Sequence, residues 1–324
     1  MTSPKNIDSC WLLFDAEKKG SENQCRGLAE ALGVKKIISK PIPKAPFLRF
    51  IPRQFWFLFL RFEKGLLKGI STEKPDLIIS SGTRGSVVGA FLKKKFQNTF
   101  LVNILNPRLY HGLFDLIIAP EHDRLKFPNV LTVLGSIHFI TPERLEKEAA
   151  LFKASYKALN SPIVTVLIGG PSKGISLTKD HFVTLGRQIA HLHRARQASF
   201  LVSFSRRTPE NFKEAFIKET KGVPLEIYDP AYSTKPNPYF AYLGLADHII
   251  VTADSISMVA EACSTGKPVH ISSVQKMPKK FRYFHRLLEK KGATKPFLGS
   301  LEKWNVVSLQ GDTERIAQEI KERL

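Results

Sequence analysis

The stretch HIIVTADSISMVAEACSTGKPVHI, residues 248–271, restricts the fold more than any other part of this chain. It predicts a buried parallel strand at residues 249–251, then a helix with Ser255 as N-cap. Gly266 and Pro268 end that helix, and a second strand follows. In such a unit the helix begins at the carboxyl end of a parallel strand. The free N–H groups and the dipole at that end of the helix favour a phosphate or another anion.

Glu261 lies on the same predicted helix, six residues after the N-cap. At about 1.5 Å per residue it is about 9 Å along the axis from the N-terminus. That distance suits a carboxylate that accepts hydrogen bonds from a ribose while the attached diphosphate rests on the helix end. An ordinary strand–helix–strand unit with a surface glutamate explains the pattern equally well, so both interpretations remain open here.

The alternation of strands and helices continues along the whole chain and predicts an α/β fold. The pattern starts again after Asn160-Ser161-Pro162, which predicts two doubly wound, Rossmann-like domains facing a cleft. We place them at residues 1–160 and 161–324, the second closing with the C-terminal helix. Each is long enough to bury its own core, and ligands are expected at the carboxyl ends of the strands.

Four loops of the second half carry candidate binding residues. A turn of small residues follows the strand at 163–168, a pair of arginines follows the strand at 200–204, and a further loop opens the helix at 238–245. The fourth loop is the one that leads into the helix capped by Ser255. Packing glycines and exposed surface arginines are the plain alternatives. No Walker loop and no metal-ligand spacing is present, so we expect neither metal nor cofactor. The substrate-binding candidates are Gly169, Gly170, Ser172, Lys173, Arg206, Arg207, Asn237, Tyr239, Ser255, Ser257 and Glu261.

The segment from Ser255 through Ala260-Glu261 to Gly266-Lys267-Pro268 resembles the donor-binding segment of GT-B glycosyltransferases, especially those acting on lipid-linked cell-envelope substrates. The resemblance implies a nucleoside diphosphate sugar as donor, with a UDP type favoured. It also implies that helix dipoles and basic residues, rather than a divalent ion, hold the diphosphate.

Six distinctive blocks are spread over nearly the full length of the chain: GSENQ from Gly20, APEHDR from Ala119, IGGPSK from Ile168, SRRTP from Ser205, PNPYF from Pro236 and VTADSISM from Val251. Through these blocks the chain also resembles the mitochondrial fission factor family of plants, the "elongated mitochondria" proteins, and its bacterial relatives. The plant members are linked to recruiting a dynamin-like protein, so this resemblance implies a membrane-associated adaptor without catalytic activity.

Glycosyl transfer with inversion requires a general base near the acceptor hydroxyl, and we look for it in the first half of the chain. Glu121, His122 and Asp123 directly follow a predicted strand, and an adjacent carboxylate can orient a histidine that titrates near neutral pH. The alternative is a turn capped by Glu121, with His122 packed and Asp123 paired to Arg124. The acceptor-side candidates are Gly20, Ser21, Glu22, Gly82 and Arg84.

The net charge of +20 is concentrated in two segments. Residues 35–68 hold nine basic residues against Glu63 alone, and residues 276–295 hold eight against Glu289 alone. Clustered positive charge indicates an anionic partner, with a solvated basic face as the alternative. Within residues 44–68, six phenylalanines and a tryptophan lie among three arginines. That pattern predicts contact with an anionic membrane surface, or otherwise a core helix.

These observations predict a GT-B-like protein that binds a nucleotide-sugar and transfers the sugar at a membrane surface. Nucleotide-sugar epimerisation and a non-catalytic adaptor role are the alternatives, and no nucleic-acid-binding module is recognised. Cys10, Cys25 and Cys263 are scattered, and the first apolar run, residues 11–14, is too short for a signal peptide. We therefore expect a cytoplasmic protein, peripheral to the membrane, with a protein partner that the sequence does not identify.

Overall fold

The computed structural model describes residues 7–44, 50–52, 55–56, 74–156, 159–172, 174–274 and 276–324. The chain forms two compact units. Unit 1 is Met1–Phe139 with Gly311–Leu324, and unit 2 is Ile140–Gln310. This partition differs from the expected boundary at residue 160 for two helices. The helix at residues 142–153 belongs to unit 2, and the C-terminal helix belongs to unit 1.

The first part of the chain contains β1 (Ser9–Asp15), α1 (Lys19–Ala31), β2 (Lys36–Ile42), β3 (Leu77–Ser81), α2 (Gly82–Lys95), β4 (Phe100–Ile104), β5 (Leu116–Pro120) and β6 (Val130–Val133). Short 3-10 helices occupy His111–Leu113 and Glu121–Asp123. The strands read as apolar runs because most of their residues are buried on both faces of a parallel sheet.

The second part contains α3 (Pro142–Lys153), β7 (Ile163–Ile168), α4 (Lys179–Arg196), β8 (Ser199–Phe204), α5 (Glu210–Glu219), β9 (Leu225–Tyr228), α6 (Tyr239–Leu245), β10 (His248–Thr252), α7 (Ile256–Cys263), β11 (Val269–Ser272), α8 (Lys279–Lys290), β12 (Thr294–Pro296) and α9 (Asp312–Arg323). Local chemistry sets several helix starts. The hydroxyls of Thr141 and Thr178 cap α3 and α4 by accepting from backbone N–H groups three residues on.

Within the described residues the strands form two six-stranded sheets in which every pair is parallel. The order is β2-β1-β3-β4-β5-β6 in unit 1 and β12-β11-β10-β7-β8-β9 in unit 2. The predicted α/β, doubly wound fold class is thus confirmed. The strand order reverses between β1 and β3 in unit 1 and between β7 and β10 in unit 2. Ligands of open α/β sheets bind at the carboxyl side of such switch points.

Close contacts place α3 with unit 2 and α9 with unit 1. A Cβ on Gly244 of α6 would lie 2.6 Å from the carbonyl oxygen of Leu145 in α3, so α3 packs closely against α6 within unit 2. The C-terminal α9 buries Ile316 and Ile320 in the core of unit 1, and Asp312 accepts from the N–H of Leu134 at 3.1 Å. A local sequence pattern could not predict which sheet each of these helices covers.

The predicted membrane segment, residues 44–68, lies mostly outside the described residues. Of its described side chains, Phe50 is 84% exposed and Phe55 is 45% exposed. The ring of Trp56 instead packs against the core, and its indole N–H donates to the carbonyl of Ile51 at 2.8 Å. Among the described residues, no helix combines the length and apolar character that crossing a bilayer requires.

Candidate functional site

The side chain of Asp254, just after β10, joins the strand-end loops at the switch point of unit 2. Its Oδ2 accepts from the N–H of Gly170 and from the guanidinium of Arg207, each at 3.0 Å. Its Oδ1 accepts from the hydroxyl of Thr252 at 2.7 Å, and that hydroxyl accepts from the N–H of Gly169 at 2.8 Å. One buried carboxylate thus connects the loops that follow β7, β8 and β10.

Both glycines of the turn after β7 are required by this packing. A Cβ on Gly169 would lie 2.1 Å from Oδ2 of Asp254, and a Cβ on Gly170 would lie 2.3 Å from the carbonyl oxygen of Arg207. These distances are far below van der Waals contact. The contacts therefore support the packing interpretation of Gly169 and Gly170. Ser172 lies in the tight turn that follows, bridged to Ile175, and Lys173 lies outside the described residues.

The two arginines that we predicted to clamp a diphosphate differ in their surroundings. Arg207 donates to the carbonyl of Gly170 at 2.7 Å as well as to Asp254, so its guanidinium helps to fasten the loop. Arg206 is exposed and forms no ion pair with any described residue. Arg206 is therefore the arginine of this pair whose guanidinium is available to an incoming anion.

The N-terminus of α7 is open at the same switch point. Ser255 is the N-cap as predicted, and its hydroxyl accepts from the N–H of Met258 at a long 3.4 Å. In the part of the chain that the structure describes, nothing accepts from the N–H groups of Ile256 or Ser257. Two free donors and the positive end of a helix dipole thus point out of the carboxyl edge of the sheet.

Glu261 and Tyr239, which the sequence singled out separately, are in direct contact. The Tyr239 hydroxyl donates to Oε2 of Glu261 at 2.5 Å, and Asn237 positions the tyrosine by accepting from its backbone N–H at 3.0 Å. Burial raises the pKa of Glu261 to about 7, against the tyrosine hydrogen bond, which lowers it. Burial, the charge of Glu261 and the hydrogen bond to it hold the pKa of the Tyr239 phenol well above its usual value.

Two histidines beside this switch point were not among the sequence candidates. His285 of α8 donates from Nε2 to the carbonyl of Ala253 at 2.8 Å, while its buried Nδ1 has no partner among the described residues. His181 of α4 lies 3.2 Å from the hydroxyl of Ser272. Burial lowers the pKa of both rings, and the nearby charge of Asp254 opposes that shift. The sequence offered no signal for them, because only the fold brings α4 and α8 to this edge.

The equivalent switch point of unit 1 is filled by the protein itself. Asp15, at the end of β1, accepts from the N–H groups of Thr83, Arg84 and Gly85 at 3.3, 2.8 and 3.2 Å. These are N–H groups of the first turn of α2, so a carboxylate already occupies the place of an anion. Gly82 has a φ of +81°, and a Cβ there would lie 2.7 Å from Cγ of Asp15.

The remaining acceptor-side candidates lie around this carboxylate. The guanidinium of Arg84 pairs with Glu17 and also donates to the carbonyl of Ile42 at 3.4 Å. Glu22 of α1 pairs with Lys19 at 2.8 Å, and Ser21 is buried. Gly20 has open space where a Cβ would project. The fold therefore brings Arg84, but not a free anion site, to the switch point of unit 1.

The predicted base segment forms the 3-10 helix Glu121–Asp123 at the carboxyl end of β5, preceded by Pro120 and ended by Arg124 at a φ of 50°. His122 is buried, whereas Glu121 and Asp123 are partly exposed. Nε2 of His122 and Oδ1 of Asp123 are 3.9 Å apart, which is beyond hydrogen-bond distance. The carboxylates are therefore the accessible groups of the segment.

Among the described residues, no three His, Cys, Asp or Glu side chains are grouped so that they could hold a metal ion together. The three cysteines are buried and none forms a disulfide.

Solved structures of sugar-nucleotide enzymes share this architecture. The chain is similar to the crystal structure of UDP-GlcNAc 2-epimerase from Neisseria meningitidis bound to UDP-GlcNAc, with a TM-score of 0.54 and 12% identity, covering 97% of this chain and 100% of that one. For the UDP-GlcNAc 2-epimerase of Methanocaldococcus jannaschii the TM-score is 0.56 and the identity 16%, covering 97% and 92%. At such identities the likeness establishes the fold alone, and that fold is of the GT-B class.

Sequence comparison assigns the family. The model of the family described as Mitochondrial fission ELM1 matches residues 19–324, and the chain belongs to that family, as the sequence blocks predicted. Uncharacterized protein RP120 of Rickettsia prowazekii (strain Madrid E) is 31% identical over 298 residues, 81% of this chain and 82% of that protein. The Mitochondrial fission protein ELM1 of Arabidopsis thaliana is 28% identical over 278 residues, 77% of this chain and 64% of that protein.

Proposed function

We propose that this protein binds a nucleoside diphosphate sugar, of UDP type, at the carboxyl edge of the unit 2 sheet and transfers the sugar to an acceptor at a membrane surface. The observation that carries the proposal is the open N-terminus of α7 at the switch point. The free N–H groups of Ile256 and Ser257 receive the diphosphate there, and the exposed Arg206 supplies a positive charge.

Glu261 supplies the second half of the recognition. It lies on α7, about 9 Å along the axis from the N-cap. Tyr239 donates to Oε2, and Oε1 has no partner among the described residues, so one oxygen is available to accept from a ribose hydroxyl. One similar structure is bound to UDP-GlcNAc and another, of an Anabaena protein, is in complex with UDP-glucose, which supports a UDP-sugar as the ligand class.

For the transfer step we assign the general base to the segment Glu121–Asp123 of unit 1. Its partly exposed carboxylates, Glu121 and Asp123, are the groups that can take a proton from an acceptor hydroxyl, and His122 supports them from its buried position. The same carboxylates also suit an epimerase, which removes a proton from the sugar itself. The product therefore distinguishes the two reactions.

The direct test is a thermal-shift screen of nucleotides and nucleotide-sugars, followed by product analysis with membrane lipids as acceptors. A ligand at 100 times its dissociation constant adds about 2.7 kcal/mol of stability, so specific binding raises the melting temperature measurably. Nucleotide release with a glycosylated lipid supports transfer, and a changed sugar without release indicates epimerisation. No stabilisation by any nucleotide would refute the proposal.

A non-catalytic adaptor role is the second candidate, and family membership favours it. The Arabidopsis relative is named a mitochondrial fission protein, and that name states no reaction. An adaptor that retains the fold can still bind the nucleotide as a structural or regulatory ligand. Tight nucleotide binding without turnover of any sugar would favour this second candidate.

A further inference from the structure

Helix α8 carries a stripe of positive charge along its exposed side. Lys279, Arg282, Arg286 and Lys290 are all exposed and recur at spacings of three and four residues. On an α-helix of 3.6 residues per turn they fall within an arc of about 80° and span about 17 Å. The opposite side of the helix, centred on Phe284 and Leu288, is buried against unit 2. We call these four residues the α8 stripe.

The charges of the α8 stripe are not neutralised locally. Within the described residues, no carboxylate lies at ion-pair distance from any of the four. Arg282 donates only to the backbone carbonyl of Met277, at 3.4 Å. Exposed basic residues elsewhere do find acidic partners, among them Lys35 with Asp8, Arg187 with Glu219, Lys295 with Glu302 and Arg323 with Glu319.

We propose that α8 docks unit 2 on an anionic lipid bilayer through this stripe. A straight row of unpaired cations on one side of a helix matches a flat surface of anionic headgroups, to which each Lys or Arg is attracted. A single-stranded nucleic acid site would add exposed aromatic rings for base stacking. On α8 the ring of Phe284 is buried, and those of Phe281 and Tyr283 are partly buried. The helix therefore offers charge without a stacking platform.

The docking helix is joined directly to the loops of the candidate nucleotide site. His285 of α8 donates to the carbonyl of Ala253, next to Asp254. In the loop just before α8, the carbonyl of Lys276 accepts from the N–H of Ser176 at 2.9 Å. A bilayer held by α8 would thus bring lipid headgroups near the switch point of unit 2. Docking through α8 extends the proposed action at a membrane, and its biological role rests on that proposed function. Lipid binding by α8 itself requires no nucleotide.

The test is co-sedimentation of the full chain with vesicles of phosphatidylcholine alone and with 30% phosphatidylglycerol added. We expect binding only to the anionic vesicles, weakening as salt is raised. The double substitution Arg282→Gln with Arg286→Gln should lower the partition coefficient about 25-fold, since each charge near the surface contributes about fivefold. Lys279→Gln with Lys290→Gln should give a similar loss. Agreement between the two double variants would show that the charge of the α8 stripe, and not a local change at one pair of residues, lowers the binding.

The matched control is Arg194→Gln with Arg196→Gln, two exposed arginines at the end of α4 in the same unit. It removes the same net charge and should change the partition less than threefold. Equal losses in control and stripe variants, no loss in the stripe variants, or binding of polyuridylate RNA without vesicle binding would each overturn the proposal. Nucleotide titration without vesicles is scored separately. Its failure refutes the nucleotide site and leaves the docking result standing.

Discussion

The two switch points use the same kind of residue in opposite ways. In unit 1, Asp15 turns onto the first turn of α2 and accepts from three of its N–H groups. In unit 2, Asp254 turns back onto the loops after β7 and β8 and leaves the start of α7 open. The first arrangement is closed to an anion and the second is ready for one. Sheets with equivalent switch points therefore need not both bind a ligand, and the direction of one carboxylate decides between them.

The largest effect is expected from the base segment, which tests whether unit 1 contributes chemistry although its switch point is closed. Asp123→Ala or His122→Ala should lower turnover by about 10²–10⁴ if the segment acts as the general base. Nucleotide affinity, measured by calorimetry, should stay nearly unchanged. A variant that keeps full turnover would remove that residue from the mechanism.

Filling the crowded turn of unit 2 should produce the largest change in stability. A Cβ at Gly170 would meet the backbone of Arg207 at 2.3 Å, so Gly170→Ala should cost about 3 kcal/mol of unfolding free energy in urea denaturation. Gly20→Ala is the control, because its Cβ meets nothing within 4 Å and α1 gains helix propensity. Equal stability of the two variants would contradict the packing account of the switch point.

The ribose contact sharpens the comparison at the open helix. Glu261→Gln should weaken binding of a UDP-sugar by about 1.5–3 kcal/mol, the range for hydrogen bonds to charged groups. Glu214→Gln, which changes an exposed glutamate of α5 in the same unit, should leave affinity as it is. Calorimetry on both variants checks this, and an unaltered affinity in Glu261→Gln would take the residue out of the site.

Opening the closed switch point tests the other side of the comparison. Asp15→Ala removes the acceptor of three N–H groups at the start of α2 and should cost about 1–2 kcal/mol of stability, the range for a lost helix cap. Since the nucleotide rests on unit 2, UDP-sugar affinity should not fall. A large loss of affinity in Asp15→Ala would indicate that the nucleotide binds unit 1, which would contradict our account.

The pH dependence should be the smallest effect. With a pKa of about 7, the carboxyl of Glu261 is mostly protonated at pH 6 and ionised at pH 8. If the carboxylate accepts from the ribose, binding requires release of that proton, so affinity rises with pH across 7. Each unit by which binding lowers the pKa adds about tenfold at high pH. Glu261→Gln should show a flat profile between pH 6 and 8. A nucleotide-sugar is the ligand to use, because its phosphates do not titrate there.

The sequence predicted the fold class, and it placed several candidate residues at the carboxyl edge of the second sheet. Strand–helix alternation predicted two doubly wound sheets, and Ser255, Tyr239 and Glu261 were identified from their positions at helix starts and on one helix face. The hydrogen bonds that Asp254 and Asp15 make were not predicted, since their partners are Gly170 and Arg84, 84 and 69 residues away. A local pattern cannot show which loops a carboxylate will tie together. The same limit applied to α9, which was predicted as a helix closing the second domain and lies with unit 1.

Hydrogen exchange with and without a saturating UDP-sugar tests the central claim most directly. Backbone amides at both switch points can be followed in one experiment on the unaltered chain. The account predicts that the nucleotide slows exchange at residues 255–258 and leaves residues 83–85, already bonded to Asp15, unchanged. Protection at residues 83–85 with none at 255–258, despite measured binding, would contradict it.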